Sequence, residues 1–290
     1  MSKVEELKAQ LNDVLRLGQA GAILGWDQQV NMPPGGAAAR AEQLATIGKL
    51  AHEMFVTDEV GKLIEAAEAE VKDADYDSDE AAMVRVVRHD YDLQTRIPTK
   101  LVEELARTQA LAHEAWAKAR EANDFPSFVP VLEKIFDLMR QQADALGYED
   151  RPYDALLDQY EPNMKTADVE RLFDDLRTDL VPFVADIFEN LDKVDDKLIH
   201  LDYDVAKQAE FGEMVIRRLG FDLDKAGRQD KSVHPFTTSF SVNDVRITTR
   251  FQQDYFPTAL FGSMHEAGHG MYEQGSAQAL DGTWLAGGTS

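Results

Sequence analysis

The length, composition and charge of this chain exclude several classes of protein. It has 290 residues, 44% of them hydrophobic, which is enough to bury a large core in one or two domains. A net charge of −23 disfavours nucleic acid and anionic membrane surfaces as partners, because phosphate backbones are bound by clustered Lys and Arg. The chain has no cysteine, a charged start and no long apolar run, so we expect a cytoplasmic protein without disulfides, thiolate metal sites or membrane segments.

Most of the chain has the spacing of long amphipathic helices, with apolar residues such as Leu7, Leu11 and Val14 three or four positions apart. The run Gly25–Gly36, which contains Pro-Pro and Gly-Gly, predicts the first break. The predicted helices are 4–24, 37–54, 58–72, 79–95 behind a Ser78 N-cap, 99–122, 125–146, 166–191 with a bend or split at Pro182, and 202–219, with an aromatic-rich loop or short helix over 147–162.

One segment, within residues 232–252, departs from the helical pattern. β-Branched residues alternate roughly in Thr237–Val242 and again in Val245–Phe251. Asn243 and Asp244 lie between the two runs and are typical turn residues. These features predict a small hairpin, so the predicted fold class is all-α with a small β-element.

A further helix is predicted directly after the hairpin. It begins near Pro257, since proline suits a first helical turn, and ends at Gly275. The chain then divides into a helical scaffold with a groove or lid region over residues 1–231 and the β-element with its following helix over residues 232–290. The two parts are expected to form one continuous structural unit.

This last helix carries a metal-binding pattern. His265, Glu266 and His269 fit the sequence HExxH, which places two histidines on one helical face about one turn apart. Both imidazoles can then reach one metal ion, and Glu266 stands where a carboxylate can take a proton from water. Of the three His-Glu pairs in the chain, only this one has a second histidine four places after the first. An accidental match on a solvated face is the alternative, which the apolar segment before the motif disfavours.

Several segments together resemble the thermostable (Taq-type) carboxypeptidase family of metallopeptidases. The segments are Trp26-Asp27 with Met32-Pro33, Arg40–Leu44, Tyr153–Pro162, His234–Phe236 (HPF), Asp244–Thr248 (DxRxT) and His265–His269 (HExxH). The resemblance implies a mostly helical, homodimeric, cytoplasmic enzyme that removes C-terminal amino acids from peptides with a free C-terminus. It also implies one zinc ion per full-length chain, with cobalt or another divalent metal as the alternative.

The resemblance also implies roles for individual residues. Matched by position, His265 and His269 would be metal ligands and Glu266 the general base. His234 and Arg246 would lie near the substrate.

The third metal ligand is a glutamate in a later motif of the family, and that position is expected beyond Ser290. Gly287–Ser290 resembles the stretch that leads into it. Glu273 lies one turn further along the same helix and would point past the metal, so Asp281 or a partner chain is the remaining substitute. The sequence is therefore expected to be the N-terminal portion of a longer enzyme, inactive or impaired as it stands.

Three functional interpretations remain open on these residues. The first is a zinc carboxypeptidase that lacks its third ligand. The second is a non-catalytic helical protein derived from such an enzyme. The third is a metallo-endopeptidase on a similar groove, which the HPF and DxRxT segments disfavour.

Overall fold

The computed structural model describes residues 1–286, and that part of the chain contains ten α-helices and one three-stranded sheet. The elements are α1 Lys3–Val30, α2 Ala37–Phe55, α3 Asp58–Val71, α4 Asp79–Gln94, α5 Thr99–Glu121, α6 Phe125–Leu146, α7 Pro152–Leu157, α8 Thr166–Phe188, α9 Val205–Leu219, β1 Gly227–Lys231, β2 Thr237–Ser241, β3 Asp244–Thr249 and α10 Pro257–Gln274. The mostly helical fold with a small β-element is confirmed. Among these helices, none is both long enough and apolar enough to cross a membrane.

Local signals explain most helix boundaries. The Ser78 hydroxyl accepts a hydrogen bond from the first turn of α4, which confirms the predicted N-cap. Gly220 ends α9 with a φ of 118°, a left-handed conformation that favours glycine. The predicted break between α1 and α2 starts later than expected, because α1 continues through Gly25 to Val30, and the predicted split at Pro182 was wrong, because α8 continues through it as one helix. A glycine costs a helix only about 1 kcal/mol, which tertiary packing outweighs.

The first half of the chain forms two helical cores. In the first core, α1, α3 and α4 bury apolar side chains such as Leu7 and Ile64. In the second core, Leu101 of α5 lies among buried residues of α6 and α7. Trp284 stacks on Phe55 with the ring centroids 5.0 Å apart, so the end of the described chain returns to the first core.

The sheet has the strand order β1-β3-β2, with β1 parallel and β2 antiparallel to β3. The β2–β3 hairpin confirms the predicted one. The predicted limits of the β-element, 232–252, were wrong on the N-terminal side, because β1 begins at Gly227. The sequence of β1 is Gly-Arg-Gln-Asp-Lys, which lacks the β-branched residues that mark a strand, and its pairing with β3 overrides composition. The division of the chain at residue 231 stays a prediction.

The two faces of β3 contact different parts of the molecule. Val245 and Ile247 are fully buried against α9 and α10, where they pack with Phe221. Arg246 alternates to the other face, where its guanidinium carbon lies 4.3 Å from the centroid of the buried Trp26 ring on α1. The sheet therefore lies between α10 and the N-terminal helical scaffold.

Replacing glycine by alanine should have opposite effects at two positions of α10. A Cβ atom at Gly270 would lie 2.5 Å from the buried Phe221 ring, whereas one at Gly268 would meet nothing within 4 Å. Gly270→Ala should therefore lower the free energy of unfolding by about 1–3 kcal/mol, and Gly268→Ala should raise it by up to about 1 kcal/mol. Urea unfolding of both variants checks this, and a destabilised Gly268→Ala variant would contradict the packing described.

Candidate metal centre

One face of helix α10 is buried and the other borders a cleft. Ala267 is fully buried in the core shared with α9 and β3, and Gly270 lies against Phe221 in the same core. His265 and His269 are four residues apart, so they share a helical face, and both are exposed. The packing of the small residues therefore turns the two imidazoles towards the cleft.

The two imidazoles are arranged as a pair. Their ring centroids are 4.9 Å apart with an interplanar angle of 83°, and the two Nε2 atoms are 3.3 Å apart. Two nitrogen ligands at about 2.05 Å from one tetrahedral ion would be separated by roughly 3.3 Å. His265 and His269 therefore have the separation that one divalent metal ion requires of two ligands.

Glu266 lies beside this pair and is largely buried, with 6% of its surface exposed. The Thr237 hydroxyl lies 2.7 Å from Glu266 Oε2, to which it donates, and 3.0 Å from the Glu266 carbonyl oxygen. Strand β2 thus holds the carboxylate in one orientation. Sequence analysis missed Thr237, although it directly follows the HPF segment, because periodicity does not show which strand side chain meets the helix.

The cleft has a volume of about 700 Å³. One wall comes from residues 235–239 and the other from α10, which contributes His265, Glu266, Gly268, His269, Tyr272 and Glu273. Gly268 is exposed to the cleft and has open space in place of a side chain. The two histidines and the carboxylate therefore border a cavity of the size that binds small ligands.

Within residues 1–286, no third metal ligand lies beside His265 and His269. Within this range, no group of three His, Asp or Glu residues has the geometry to hold a metal ion. Asp281 instead accepts hydrogen bonds from the Val242 backbone N–H at 3.2 Å and from Gln278 at 3.4 Å. Glu273 lines the cleft without completing a ligand group. The segment expected to lead into the third ligand, 287–290, lies outside the described residues.

The two residues expected near the substrate lie outside the lining of this cleft. His234 is exposed, and its Nδ1 lies 2.6 Å from the Pro235 carbonyl oxygen. Arg246 donates two hydrogen bonds to Asp244, at 2.9 and 3.0 Å, and lies over Trp26. Pro235 itself lines the cleft, so the HPF segment borders it through the residue after His234.

An HExxH helix packed on a small sheet in a helical chain is typical of metallopeptidases. Residues 6–290 match the family described as Carboxypeptidase Taq (M32) metallopeptidase. Thermostable carboxypeptidase 1 of Pyrococcus furiosus is 35% identical over 289 residues, which are 99% of this chain and 57% of that protein. The crystal structure of BsuCP matches with a TM-score of 0.94 and 31% identity over 99% of this chain and 57% of that one. The M32 carboxypeptidase from Deinococcus radiodurans R1 matches with a TM-score of 0.82 and 35% identity, over 99% and 56% of the two chains.

The chain therefore belongs to the Taq (M32) family of metallocarboxypeptidases, which confirms the resemblance seen in its motifs. It spans a little more than half the length of the relatives that it matches. Membership of a metallopeptidase family implies a divalent metal cofactor, and the paired imidazole nitrogens fit one.

Metal titration of the chain 1–290 should reveal one weak site that depends on this pair. Two imidazoles leave the remaining coordination positions to water, so affinity for Zn²⁺ or Co²⁺ should be far below that of a three-ligand site. His265→Ala or His269→Ala should lower the affinity at least about tenfold. His200→Ala, which removes an exposed histidine outside the cleft, is the matched control and should change nothing. Tight one-to-one binding in calorimetry would instead show that Asp281 or a second chain completes the site.

Proposed function

We propose that this chain contributes the HExxH half of a zinc carboxypeptidase site that releases C-terminal amino acids from peptides. The observation that carries the proposal is the pair of Nε2 atoms 3.3 Å apart beside the buried carboxylate of Glu266. His265 and His269 would hold the metal, and the family glutamate expected beyond Ser290 would be the third ligand. Cobalt or another divalent ion is the alternative metal.

In the proposed mechanism, Glu266 moves the proton. Bound between the histidines, a divalent metal would supply Lewis-acid chemistry, stabilising charge on the scissile carbonyl oxygen and easing deprotonation of water. Glu266 Oε2 is held by Thr237, whereas Oε1 has no hydrogen-bond partner among residues 1–286. That oxygen would accept the proton of the attacking water and then deliver it to the leaving amine. Burial of the carboxylate keeps it close to the reacting atoms.

The remaining expectations about the complete protein are part of this proposal. They are substrate contacts from His234 and Arg246, a homodimer, a cytoplasmic location and an impaired chain when residues 1–290 stand alone. The impairment is supported by the two metal ligands, rather than three, that residues 1–286 bring together. A non-catalytic protein derived from such an enzyme is the second candidate, and the same two-ligand set is the observation that favours it.

Replacement of Glu266 tests the mechanism. In a metal-loaded protein with the complete ligand set, Glu266→Gln should retain metal and lose about 10²–10⁴-fold in turnover of a blocked dipeptide. The amide has nearly the same shape but cannot accept the proton. Release of the C-terminal amino acid is measured beside metal content. Unchanged turnover would exclude Glu266 as the base, and equal cleavage of a C-terminally amidated peptide would favour an endopeptidase.

Thr237 is expected to position Glu266, and a matched pair of variants tests this. Thr237→Val keeps the shape but removes the hydroxyl, so kcat should fall about tenfold with KM little changed. Thr237→Ser keeps the donor and should restore most of the loss. A Val variant that folds normally and keeps full kcat, or a Ser variant as impaired as Val, would contradict the positioning role.

A further inference from the structure

A second cavity, of about 780 Å³, lies beside the metal cleft. Its walls come from the C-terminal end of α1, from α5 and from the segment that follows β1. Val233 lines this cavity and Pro235 lines the metal cleft, so one short segment borders both. Two residues span at most about 7 Å, so the two cavities border the same short stretch of backbone.

The charge of this cavity is opposite to that of the chain. The net charge of the protein is −23, yet cations outnumber carboxylates along the lining. The charged lining residues are Lys118, Arg120, Lys231, Arg250, Glu114 and Glu121. An excess of cations in one cavity of an acidic protein gives a local potential that favours an anion.

The side chains of two of these cations, Lys231 and Arg250, form neither an ion pair nor a hydrogen bond within residues 1–286. Lys118 forms an ion pair with Glu114, and Arg120 donates to the Val233 carbonyl oxygen at 2.7 Å. Lys231 lies only over the Phe251 ring, with its ammonium nitrogen 5.1 Å from the centroid.

Arg250 Nε is the other unpaired donor. It is shut off from solvent and has no hydrogen-bond partner in the described residues. A buried charged donor without an acceptor is costly. Arg250 also lines the cavity, so an anion there would offset the charge of its guanidinium group.

The rest of the lining indicates which anion fits. Met32, Pro34 and Ala117 give the cavity an apolar side, which suits a ligand with an aliphatic body. Burial lowers the pKa of His113, which favours a neutral ring that offers hydrogen bonds in this cavity without charge. A carboxylate is planar and accepts two parallel hydrogen bonds from a guanidinium group.

We propose that Arg250 and Lys231 bind a carboxylate in this cavity, and that it belongs to an Asp or Glu side chain of the peptide whose end occupies the metal cleft. The proposal rests on the proposed function for its choice of ligand. It makes the second cavity a subsite that selects acidic residues at a distance from the cleaved bond.

Calorimetry on the metal-free chain 1–290 tests this without catalysis. The probes are N-acetyl-Ala-Ala-Ala-Phe peptides in which one Ala at a time is replaced by Glu, each beside its Gln counterpart. At low salt, at least one Glu peptide should bind about tenfold more tightly than its Gln partner. Arg250→Gln and Lys231→Gln should each reduce that advantage to less than about threefold and leave binding of the Gln peptide unchanged. Lys231 is exposed, so its variant should fold even if the Arg250 variant does not.

The control is Arg171→Gln, which makes the same charge change on α8, where the side chain is 75% exposed. It should leave the Glu preference intact. Equal binding of all Glu and Gln pairs would overturn the proposal, as would a loss of preference in the control. Free glutarate that binds through Arg250 while the peptide pairs bind equally would assign the cavity to a small carboxylate and overturn the peptide assignment. Peptide binding that depends on a free C-terminus rather than on the Glu side chain would also overturn the proposal.

Failure of the subsite and failure of the proposed function give different results. The carboxypeptidase proposal alone would be contradicted if peptides bind in a Glu-dependent way but the metal-loaded, complete protein releases no amino acids. Release of amino acids with no Glu preference in either assay would sink the subsite alone.

Discussion

Helix α10 meets β3 through its smallest residues, and this contact sets the direction of the side chains that α10 presents to the cleft. Ala267 and Gly270 allow the helix to lie directly on Phe221 and Ile247. A helix anchored along one line cannot rotate without opening that core, so residues on its opposite face keep their direction. Apolar packing on one side of the helix thus turns the histidine pair, with its nitrogens 3.3 Å apart, towards the cleft.

The opposite face of the sheet links this region to the N-terminal scaffold. Arg246 is held by two hydrogen bonds from its guanidinium group to Asp244 and lies over the buried ring of Trp26. Arg228, at the paired position on β1, lies over the same ring with its guanidinium carbon 5.1 Å from the centroid. Asp244 and Arg246 of the DxRxT segment therefore have a structural role, because these contacts fix where α1 lies against the sheet. The second cavity also forms between α1 and this region, so its shape depends on the same contacts.

The sequence was sufficient for features that depend on local chemistry and insufficient for those that depend on distant partners. Periodicity and capping predicted most helices, the hairpin and the helix from Pro257 to Gln274, since these signals lie within a few residues. Strand β1 and the continuation of α1 beyond Gly25 depend on partners far along the chain. Thr237 was missed for the same reason. The amphipathic pattern of α8 predicted a helix, but its apolar side chains, Phe173 and Phe188 among them, remain exposed within residues 1–286.

The two oxygens of Glu266 have different surroundings, which also restricts how the site can be completed. Oε2 accepts a hydrogen bond from Thr237 on β2, whereas Oε1 has no hydrogen-bond partner among residues 1–286. Strand β2 and Glu266 already occupy one side of the histidine pair, and α10 itself carries the rings. In the proposed site, a third metal ligand would therefore approach from the open side of the cleft, where Gly268 leaves space beside the helix. On that proposal, a side chain at Gly268 would narrow the approach of the ligand, which would offset the cost of about 1 kcal/mol that a glycine brings to a helix.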